Sequence, residues 1–271
     1  MKFSVLMSVY YKEQPASFND SLKSLVQQTL LPAEIVVVKD GPLTLELDSV
    51  LEEYVSQYPA LFKIVSLDAN VGLGRALNIG LQHCTYDIVA RMDSDDICYP
   101  NRFEKQIDYL EKHNDVVLVG SYLMEFDKDP NDLNVIKRAP LTQESIRQYA
   151  KKRSPFNHPS VIFCKKTVID SGGYKDMPLL EDYYLWMRIL KKNYKVANIA
   201  EPLLYFRVGN DMIGRRHGWH YLKKEKHFYQ TCYNEGLINR KDYIAAIFMR
   251  LPLRLLPKFA LKAIYRVLLR K

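Results

Sequence analysis

The segment DIVARMDSDD, residues 87–96, decides the fold. Its hydrophobic part, residues 88–92, is short and bounded by acidic residues, which is typical of a strand buried inside a sheet. The polar run Asp93-Ser94-Asp95-Asp96 follows directly at the carboxyl end of that strand. Ligands of open α/β sheets bind beyond the carboxyl ends of the strands. The segment therefore predicts a buried strand that carries carboxylates to a binding edge.

Further strands and helices alternate on both sides of this segment. Apolar and β-branched runs predict strands at Phe3–Tyr10, Glu34–Lys39, Phe62–Leu67, Tyr86–Met92 and Val116–Tyr122. Helical spacing of apolar residues predicts helices at Ser17–Thr29, Leu45–Tyr58, Gly72–Cys84 and Pro100–His113, the first with a capping box at Ser17 and Asp20. This alternation implies βαβ units. It predicts an α/β fold with a Rossmann-like, mostly parallel central sheet flanked by helices.

The regular alternation of strands and helices ends after Tyr122. Residues 125–140 are polar and predict a loop or an edge hairpin. Helices are predicted near 142–151, 165–171 and 182–192, with short strands near 160–164 and 203–207. We expect one domain in two halves, residues 1–122 and 123–242, followed by a basic tail at 243–271.

The composition limits the class of protein. The chain has 271 residues, 48% of them apolar, and a formal net charge of +8, which excludes a disordered or fibrous chain. The first residues lack the pattern of a signal peptide, and no run approaches the ~18–20 apolar residues of a membrane span. Four scattered cysteines without a C-x-x-C pair argue against a disulfide framework or a zinc site. We therefore expect a cytoplasmic protein.

The positive charge is concentrated at the end of the chain. Seven cations stand at positions 250–271, which leaves a formal charge of only +1 on residues 1–249. Lys258, Lys262, Arg266 and Arg270 recur every fourth residue and predict a basic amphipathic helix. About 14 residues span roughly 21 Å, too short to cross a membrane, so we expect this helix to lie on an anionic membrane surface, unless it packs on its own domain or a second subunit. The nearly neutral body argues against a nucleic-acid partner.

Acidic side chains follow three of the predicted strands. Glu13 lies just beyond the first strand, Asp40 ends the second and the run 93–96 follows the fourth. Unpaired carboxylates repel one another, so their convergence at one edge calls for a cation, and Mg²⁺ or Mn²⁺ takes such ligands together with substrate phosphate. The alternative is that residues 93–96 cap the helix that begins near Pro100 and are otherwise solvated.

Several segments, taken together and in order, resemble one family. They are SVLMSVY (4–10), SLVQQTLLPAEIVVVKDG (24–41), NVGLGRALNIGL (70–81), ARMDSDDICYPNRFEKQ (90–106), FNHPSVIF (156–163), SGGY (171–174) and LEDYYLW (180–186). The chain resembles the inverting nucleotide-sugar glycosyltransferases of family two, which have a GT-A fold. Among them it is similar to bacterial enzymes of exopolysaccharide and O-antigen assembly, such as the amylovoran-biosynthesis transferase. The resemblance extends through RVGNDMIGRR (207–216) into the basic tail.

The resemblance implies a UDP-sugar donor and a divalent cation, Mn²⁺ or Mg²⁺. The residues that match the donor side of the family pattern are Val9, Tyr10 and Glu13 for the nucleoside pocket, Asp40 for uracil or ribose, Asn70 and Arg75 for the nucleotide-side loop and helix, Asp93 for ribose or sugar hydroxyls, and Asp95 for the metal. The guanidinium of Arg75 suits a diphosphate. The alternative is that Asn70 caps the following helix and Arg75 faces water.

The resemblance also implies a catalytic base. Asp182, the second acid of the pair Glu181-Asp182, matches the general base of the family. Inversion requires such a carboxylate, because the acceptor hydroxyl loses its proton as it attacks opposite the leaving diphosphate. The alternative is that both acids only stabilise a helix N-terminus, by ~0.3–1 kcal/mol.

A glycine-containing stretch at 207–217 resembles a lid over the donor. Arg215 and Arg216 match cations that contact the diphosphate, and His217 matches a metal ligand. The alternative for this stretch is a solvated basic loop. His158 either faces the acceptor or has a structural role.

The acceptor implied by the resemblance is a glycan linked to undecaprenyl diphosphate. Residues 1–122 would then bind the nucleotide sugar, residues 123–242 would bind the acceptor and supply the base, and the enzyme would work on the inner face of the inner membrane. Two other functions stay open. One is a nucleotidyltransferase acting on sugar phosphates, although no Gly-rich phosphate loop follows the first strand, and the other is a non-catalytic membrane scaffold with a glycosyltransferase fold.

Overall fold

A computed structural model describes residues 1–130, 132–208 and 218–255. The strands are β1 (Ser4–Val9), β2 (Glu34–Lys39), β3 (Phe62–Ser66), β4 (Ile88–Asp93), β5 (Ile97–Cys98), β6 (Val116–Phe126), β7 (Val135–Lys137), β8 (Ile162–Cys164) and β9 (Lys195–Arg207). The helices are α1 (Pro15–Val26), α2 (Leu45–Gln57), α3 (Leu73–His83), α4 (Arg102–Lys112), α5 (Gln143–Ala150), α6 (Lys165–Asp170), α7 (Glu181–Lys191), α8 (Gly218–Asn234) and α9 (Arg240–Leu255), with a short 3₁₀ helix at His158–Ser160.

All nine described strands belong to one curled sheet in the order β3-β2-β1-β4-β8-β6-β9-β5, with β7 paired to β6. β3, β2, β1 and β4 are mutually parallel. β8 is antiparallel to both of its neighbours, so β6 again runs in the direction of β4. The carboxyl ends of β1, β2, β4 and β6 therefore meet at one edge.

The sheet separates two hydrophobic layers. Along β1, Val5 and Met7 face one layer with α1, α2 and α4, while Leu6 faces the other with α3 and the later helices. This period of two is the alternation of side chains across a pleated strand. The helices on both faces leave the carboxyl edge open, and the candidate site lies there.

The predicted fold class, an α/β sheet flanked by helices, is confirmed. The predicted capping box of the first helix is wrong. α1 begins at Pro15 with Gln14 as its N-cap, so Ser17 lies inside the helix. Proline is favoured at the first helical position because its fixed φ already suits a helix.

The polar region 125–140 forms the edge hairpin of β6 and β7, which was one of the two predicted possibilities. The strand predicted near 203–207 is much longer, because β9 pairs with β6 from Lys195 onward. Strand β5 was not predicted at all. With two residues it is too short to carry a periodic signal.

The last described helix, α9, packs on the body of the protein. It runs across the expected boundary at 243, Ala246 is buried, and the Tyr243 hydroxyl donates to Gln230 Oε1 at 2.8 Å. Arg250 Nη1 lies 3.3 Å from Glu225 Oε1, so this cation of the tail belongs to the folded body. Residues 256–271, and with them the predicted amphipathic helix, lie outside the described residues. Among the described helices, none is long and apolar enough to span a bilayer.

Helix α3 packs so closely on the sheet that position 80 must be glycine. A Cβ on Gly80 would lie 2.5 Å from both Leu6 Cδ1 and Val38 Cγ2. We expect Gly80→Ala to lower the free energy of unfolding by ~1–3 kcal/mol, as overpacked core substitutions do, measured by urea denaturation.

Gly74→Ala in the same helix is the matched control. Its Cβ would make ordinary contacts, 3.4 Å from Tyr174 Cβ and 3.6 Å from Glu181 Cβ, and alanine favours the helix. We expect no loss of stability for this variant. Equal stability of the two variants would contradict the close packing of α3.

Candidate active site

A cavity of about 730 Å³ opens at the carboxyl edge of the sheet. Its walls come from the ends of β1, β2 and β4, from the start of α7, from the loop before the 3₁₀ helix and from the β7 hairpin. The predicted site residues among its lining are Tyr10, Glu13, Asp40, Asn70, Asp93, Asp95 and Asp182. Residues that lie far apart in the sequence therefore share one concave surface.

An acidic cluster is formed by Asp93, Asp95 and Asp96 at the end of β4, and the first two of these residues line the cavity. One ligand atom of each lies within 4.8 Å of the others. Asp96 is fully buried, and its Oδ1 accepts a hydrogen bond of 2.9 Å from the backbone N–H of Arg207. Its Oδ2 is also buried and has no hydrogen-bond partner among the described residues.

The acidic cluster has the properties of a cation site. Burial, then the charges of Asp93 and Glu13, raise the pKa of Asp95 to about 7. Burial and the neighbouring carboxylates also raise the pKa of Asp96 well above its ordinary value. Three crowded carboxylates with an unsatisfied buried oxygen fit a hard divalent cation, which takes oxygen ligands. The alternative role as a helix cap is wrong, because the N-cap of α4 is Asn101.

Two arginines that the sequence analysis did not single out hold the cluster. Arg91, one per cent exposed, is ion-paired with Asp93, while its Nε and Nη1 have no hydrogen-bond partner among the described residues. Arg207 Nε donates to the carbonyl oxygen of Asp95 at 3.0 Å. A signal for the first was present, because residues 91 and 93 are two apart on a strand and so face the same side. The second contact spans 112 residues and had no local signal.

The end of the cavity that is predicted to bind the nucleoside is formed by the loop after β1. The Ser94 hydroxyl donates to Glu13 Oε2 at 2.5 Å, which ties this loop to the acidic cluster. Tyr10 is 39% exposed at the cavity wall. Val9 is not among the described lining residues, because its side chain is buried in the core, whereas its neighbours Ser8 and Tyr10 do line the cavity.

Asp40 organises the loop before α3. It is buried, and its carboxylate accepts from the backbone N–H of Val71 at 2.7 Å and of Gly72 at 3.1 Å, and from Asn70 Nδ2 at 3.1 Å. Gly41 allows the approach, since its φ is +85° and a Cβ there would lie 2.7 Å from the backbone nitrogen of Asn70. The structure thus joins Asp40 and Asn70 directly at the cavity wall.

The alternative roles were that Asn70 caps α3 and that Arg75 faces water, and the structure gives a different answer for each. The N-cap of α3 is Gly72, so Asn70 does not cap the helix. Arg75 is on the exposed side of α3, with 69% of its side chain accessible and Nη2 3.8 Å from Asp176 Oδ2. It is absent from the described lining of the cavity. Its predicted role at the diphosphate stays a prediction.

Glu181 and Asp182 are the first two residues of α7, and both line the cavity. Most of this helix is buried, so the two acids stand where a hydrophobic element reaches the cavity. Burial, then the charge of Asp182, raise the pKa of Glu181 to about 7. The Oε2 atom of Glu181 is buried without a hydrogen-bond partner among the described residues. The position at the helix N-terminus agrees with both predicted roles of the pair.

His158 is the first residue of the 3₁₀ helix and packs against α7. One ring nitrogen, Nε2, lies 2.9 Å from the Tyr174 hydroxyl, and the ring packs edge-on against Trp186. Burial, then the charge of Arg91, lower the pKa of His158 well below its ordinary value, so the ring is neutral. His158 lines the cavity as well, so both predicted roles remain open. Arg215, Arg216 and His217 lie outside the described residues.

Comparisons with known proteins point to one family. The family model described as "Glycosyl transferase family 2" matches residues 4–173. The amylovoran biosynthesis glycosyltransferase AmsE of Erwinia amylovora is 46% identical over 228 residues, covering 84% of each chain. The Escherichia coli protein named UDP-Gal:alpha-D-GlcNAc-diphosphoundecaprenol beta-1,3-galactosyltransferase is 39% identical over 274 residues, covering 100% of this chain and 97% of its own.

Solved structures share the fold at lower identity. S. aureus TarS 1–349 in complex with UDP-GlcNAc matches with a TM-score of 0.65 at 18% identity, over 85% of this chain and 66% of that one. The mannosyltransferase PcManGT from Pyrobaculum calidifontis, in complex with GDP-Man and Mn²⁺, matches with a TM-score of 0.65 at 17% identity, over 98% and 80%. At such identities the similarity concerns the fold.

Proposed function

Because the chain belongs to glycosyl transferase family 2 and is a glycosyltransferase of bacterial polysaccharide biosynthesis, we propose that it is a metal-dependent, inverting enzyme. It moves a hexose or N-acetylhexosamine from a UDP-sugar to a glycan on undecaprenyl diphosphate. One observation carries this proposal. The acidic cluster and the pair Glu181-Asp182 line the same cavity, so donor phosphates and an acceptor hydroxyl can meet there.

The donor occupies the carboxyl ends of β1, β2 and β4. Tyr10 offers an aromatic face to the base, and the loop held by Asp40 walls the nucleoside end. UDP is the preferred nucleotide, because the E. coli relative is named for UDP-Gal and TarS was solved with UDP-GlcNAc. Asp93, Asp95 and Asp96 would hold Mg²⁺ or Mn²⁺, which when bound would neutralise the charge that develops on the departing diphosphate.

The reaction needs one base on the acceptor side. A carboxylate oxygen of Asp182 takes the proton of the acceptor hydroxyl as that oxygen attacks the anomeric carbon, and the bond to UDP breaks on the opposite face. The neighbouring Glu181, whose pKa is raised to about 7, is substantially protonated at neutral pH. It therefore adds less negative charge beside the incoming donor than a second ionised acid would.

Removing the base tests the assignment of Asp182. We expect Asp182→Asn to lower kcat for sugar transfer by about 10²–10⁴-fold, because general bases typically contribute that factor. UDP affinity should stay within ~3-fold of the wild type, since binding of the nucleotide does not depend on the base. The assay measures UDP and pyrophosphate release with a UDP-sugar panel, Mn²⁺ and a synthetic sugar-diphosphate lipid.

Asp170→Asn is the matched control, an identical substitution at an acid that is ion-paired with Lys166 on the surface of α6. It should retain full activity. Full activity of Asp182→Asn would contradict the assignment of the base, and release of pyrophosphate in place of UDP would favour a nucleotidyltransferase.

We propose that the reaction takes place in the cytoplasm, on the inner face of the inner membrane, where the enzyme would meet a lipid-linked acceptor. The sequence of residues 256–271, outside the described residues, supplies the cations that would attract anionic lipids, each by ~1 kcal/mol near the surface. Residues 1–249 carry a formal charge of only +1, so they offer no comparable excess of positive charge. The tail is therefore the proposed membrane contact.

Neutralising the tail tests this contact. A variant with glutamine in place of Lys258, Lys262, Arg266 and Arg270 should lose most of its co-sedimentation with phosphatidylglycerol vesicles. Turnover on a soluble acceptor should stay unchanged. The control carries glutamine at four exposed cations of the body, which lowers the net charge equally: Lys2, Lys23, Lys112 and Lys128. Equal vesicle binding by both variants would refute a specific role of the tail.

A further inference from the structure

Two adjacent cations line the cavity on the side away from the nucleoside end. Lys137 ends β7, and Arg138 follows it at the hairpin edge. No predicted role uses either residue. Lys137 and Arg138 form the basic wall of this cavity, which acids of α7 and of the acidic cluster also line.

The order of strands separates this basic wall from the nucleoside end. Tyr10 follows β1, whereas β7 pairs with β6 on the same side as β8, opposite β9, so that β4 lies between β1 and β7. Two strand spacings of about 4.8 Å amount to ~10 Å along the sheet. In the proposed function the donor nucleoside lies at β1 and β2 and its phosphates at β4. The space toward β6 and β7 is left for the sugar and the acceptor.

Contacts with neighbouring segments hold the basic wall in place. The Nζ atom of Lys137 lies 5.2 Å from the centre of the Phe206 ring, next to the Arg207 that holds the acidic cluster. Buried Asn198 donates from Nδ2 to the carbonyls of Pro140 at 2.7 Å and Pro155 at 3.1 Å. This amide joins the chain after β7 to the loop that forms the neighbouring wall.

The loop 154–159, which lines the same cavity as the basic wall, is also held in place. Asn157 donates from Nδ2 to the carbonyl of Ser121 on β6 at 2.9 Å, and Ser160 Oγ donates to the carbonyl of Asn157 at 2.9 Å. The loop 154–159 is therefore anchored to the same strand that carries the β7 hairpin. The basic wall and the loop 154–159 are thus both attached to β6.

We propose that Lys137 and Arg138 bind the diphosphate of the acceptor, the group that links its first sugar to the lipid. This rests on the proposed function. An acceptor hydroxyl at Asp182 belongs to a sugar whose diphosphate lies at the anomeric carbon of the same ring. The diphosphate carries about two negative charges, which lie close to the acidic pair Glu181-Asp182 and are repelled by it. The two cations of the basic wall offset this repulsion.

The substitution Lys137→Gln with Arg138→Gln tests the inference with two synthetic acceptors. One is an N-acetylglucosamine diphosphate alkyl lipid, and the other is the matching alkyl glycoside without phosphate. We expect kcat/KM for the diphosphate acceptor to fall by about 10–100-fold, the scale of a lost charge-assisted contact. The glycoside should be used as by the wild type, and KM for the UDP-sugar should not change. Lys137→Arg should retain the diphosphate preference.

Direct binding provides a readout that does not need turnover. Calorimetric titration of the diphosphate lipid in the presence of UDP and Mn²⁺ should show weaker binding to the double variant and unchanged binding to a control. The control replaces the adjacent cations Lys223 and Lys224 of α8, outside the cavity lining, by glutamine.

Three results would overturn the inference. Equal losses on both acceptors would assign the two cations to the structure of the hairpin, and a raised KM for the UDP-sugar would assign them to the donor. Unchanged binding and turnover of the diphosphate lipid would show that they do not contact it. Failure of the proposed function is distinct, because then the wild type releases no UDP with either acceptor.

Discussion

The crowding of carboxylates at the end of β4 is the constraint on which the site depends. Asp93, Asp95 and Asp96 lie within 4.8 Å of one another at the base of a cavity, where water screens their repulsion poorly. The buried guanidinium of Arg91 and the hydrogen bonds to and from Arg207 offset part of this repulsion. A divalent cation would offset the rest.

The other lining residues are arranged around that cluster. Asp40 is an internal anchor for the loop 70–72, so its carboxylate shapes the end of the cavity that we propose for the nucleoside. Asp182 lies on α7, a separate element, which keeps the proposed base apart from the acidic cluster. Lys137 and Arg138 form the basic wall. Acids and cations from separate elements thus line one cavity.

Local patterns were sufficient to predict the first half of the fold. β2 was predicted with its observed bounds and α2 to within one residue, because strong periodicity and flanking turn residues define both. β9 was largely missed, since Pro202 lies at a register shift of its pairing with β6 and interrupts the strand pattern. For the site, the acidic run and Asp182 were visible as motifs. The partners of the acids were not, because Arg207 reaches them across more than 100 residues of sequence.

UDP affinity with and without metal tests the central claim most directly. Isothermal titration of the wild type with UDP should show binding in Mn²⁺ that weakens at least ~10-fold in chelator, because a cation held by the acidic cluster would also attract the diphosphate. Asp95→Asn, with its fold verified by circular dichroism, should bind UDP weakly and equally in both buffers. Equal affinity of the wild type in Mn²⁺ and in chelator would contradict the account, and so would a metal response that survives in Asp95→Asn.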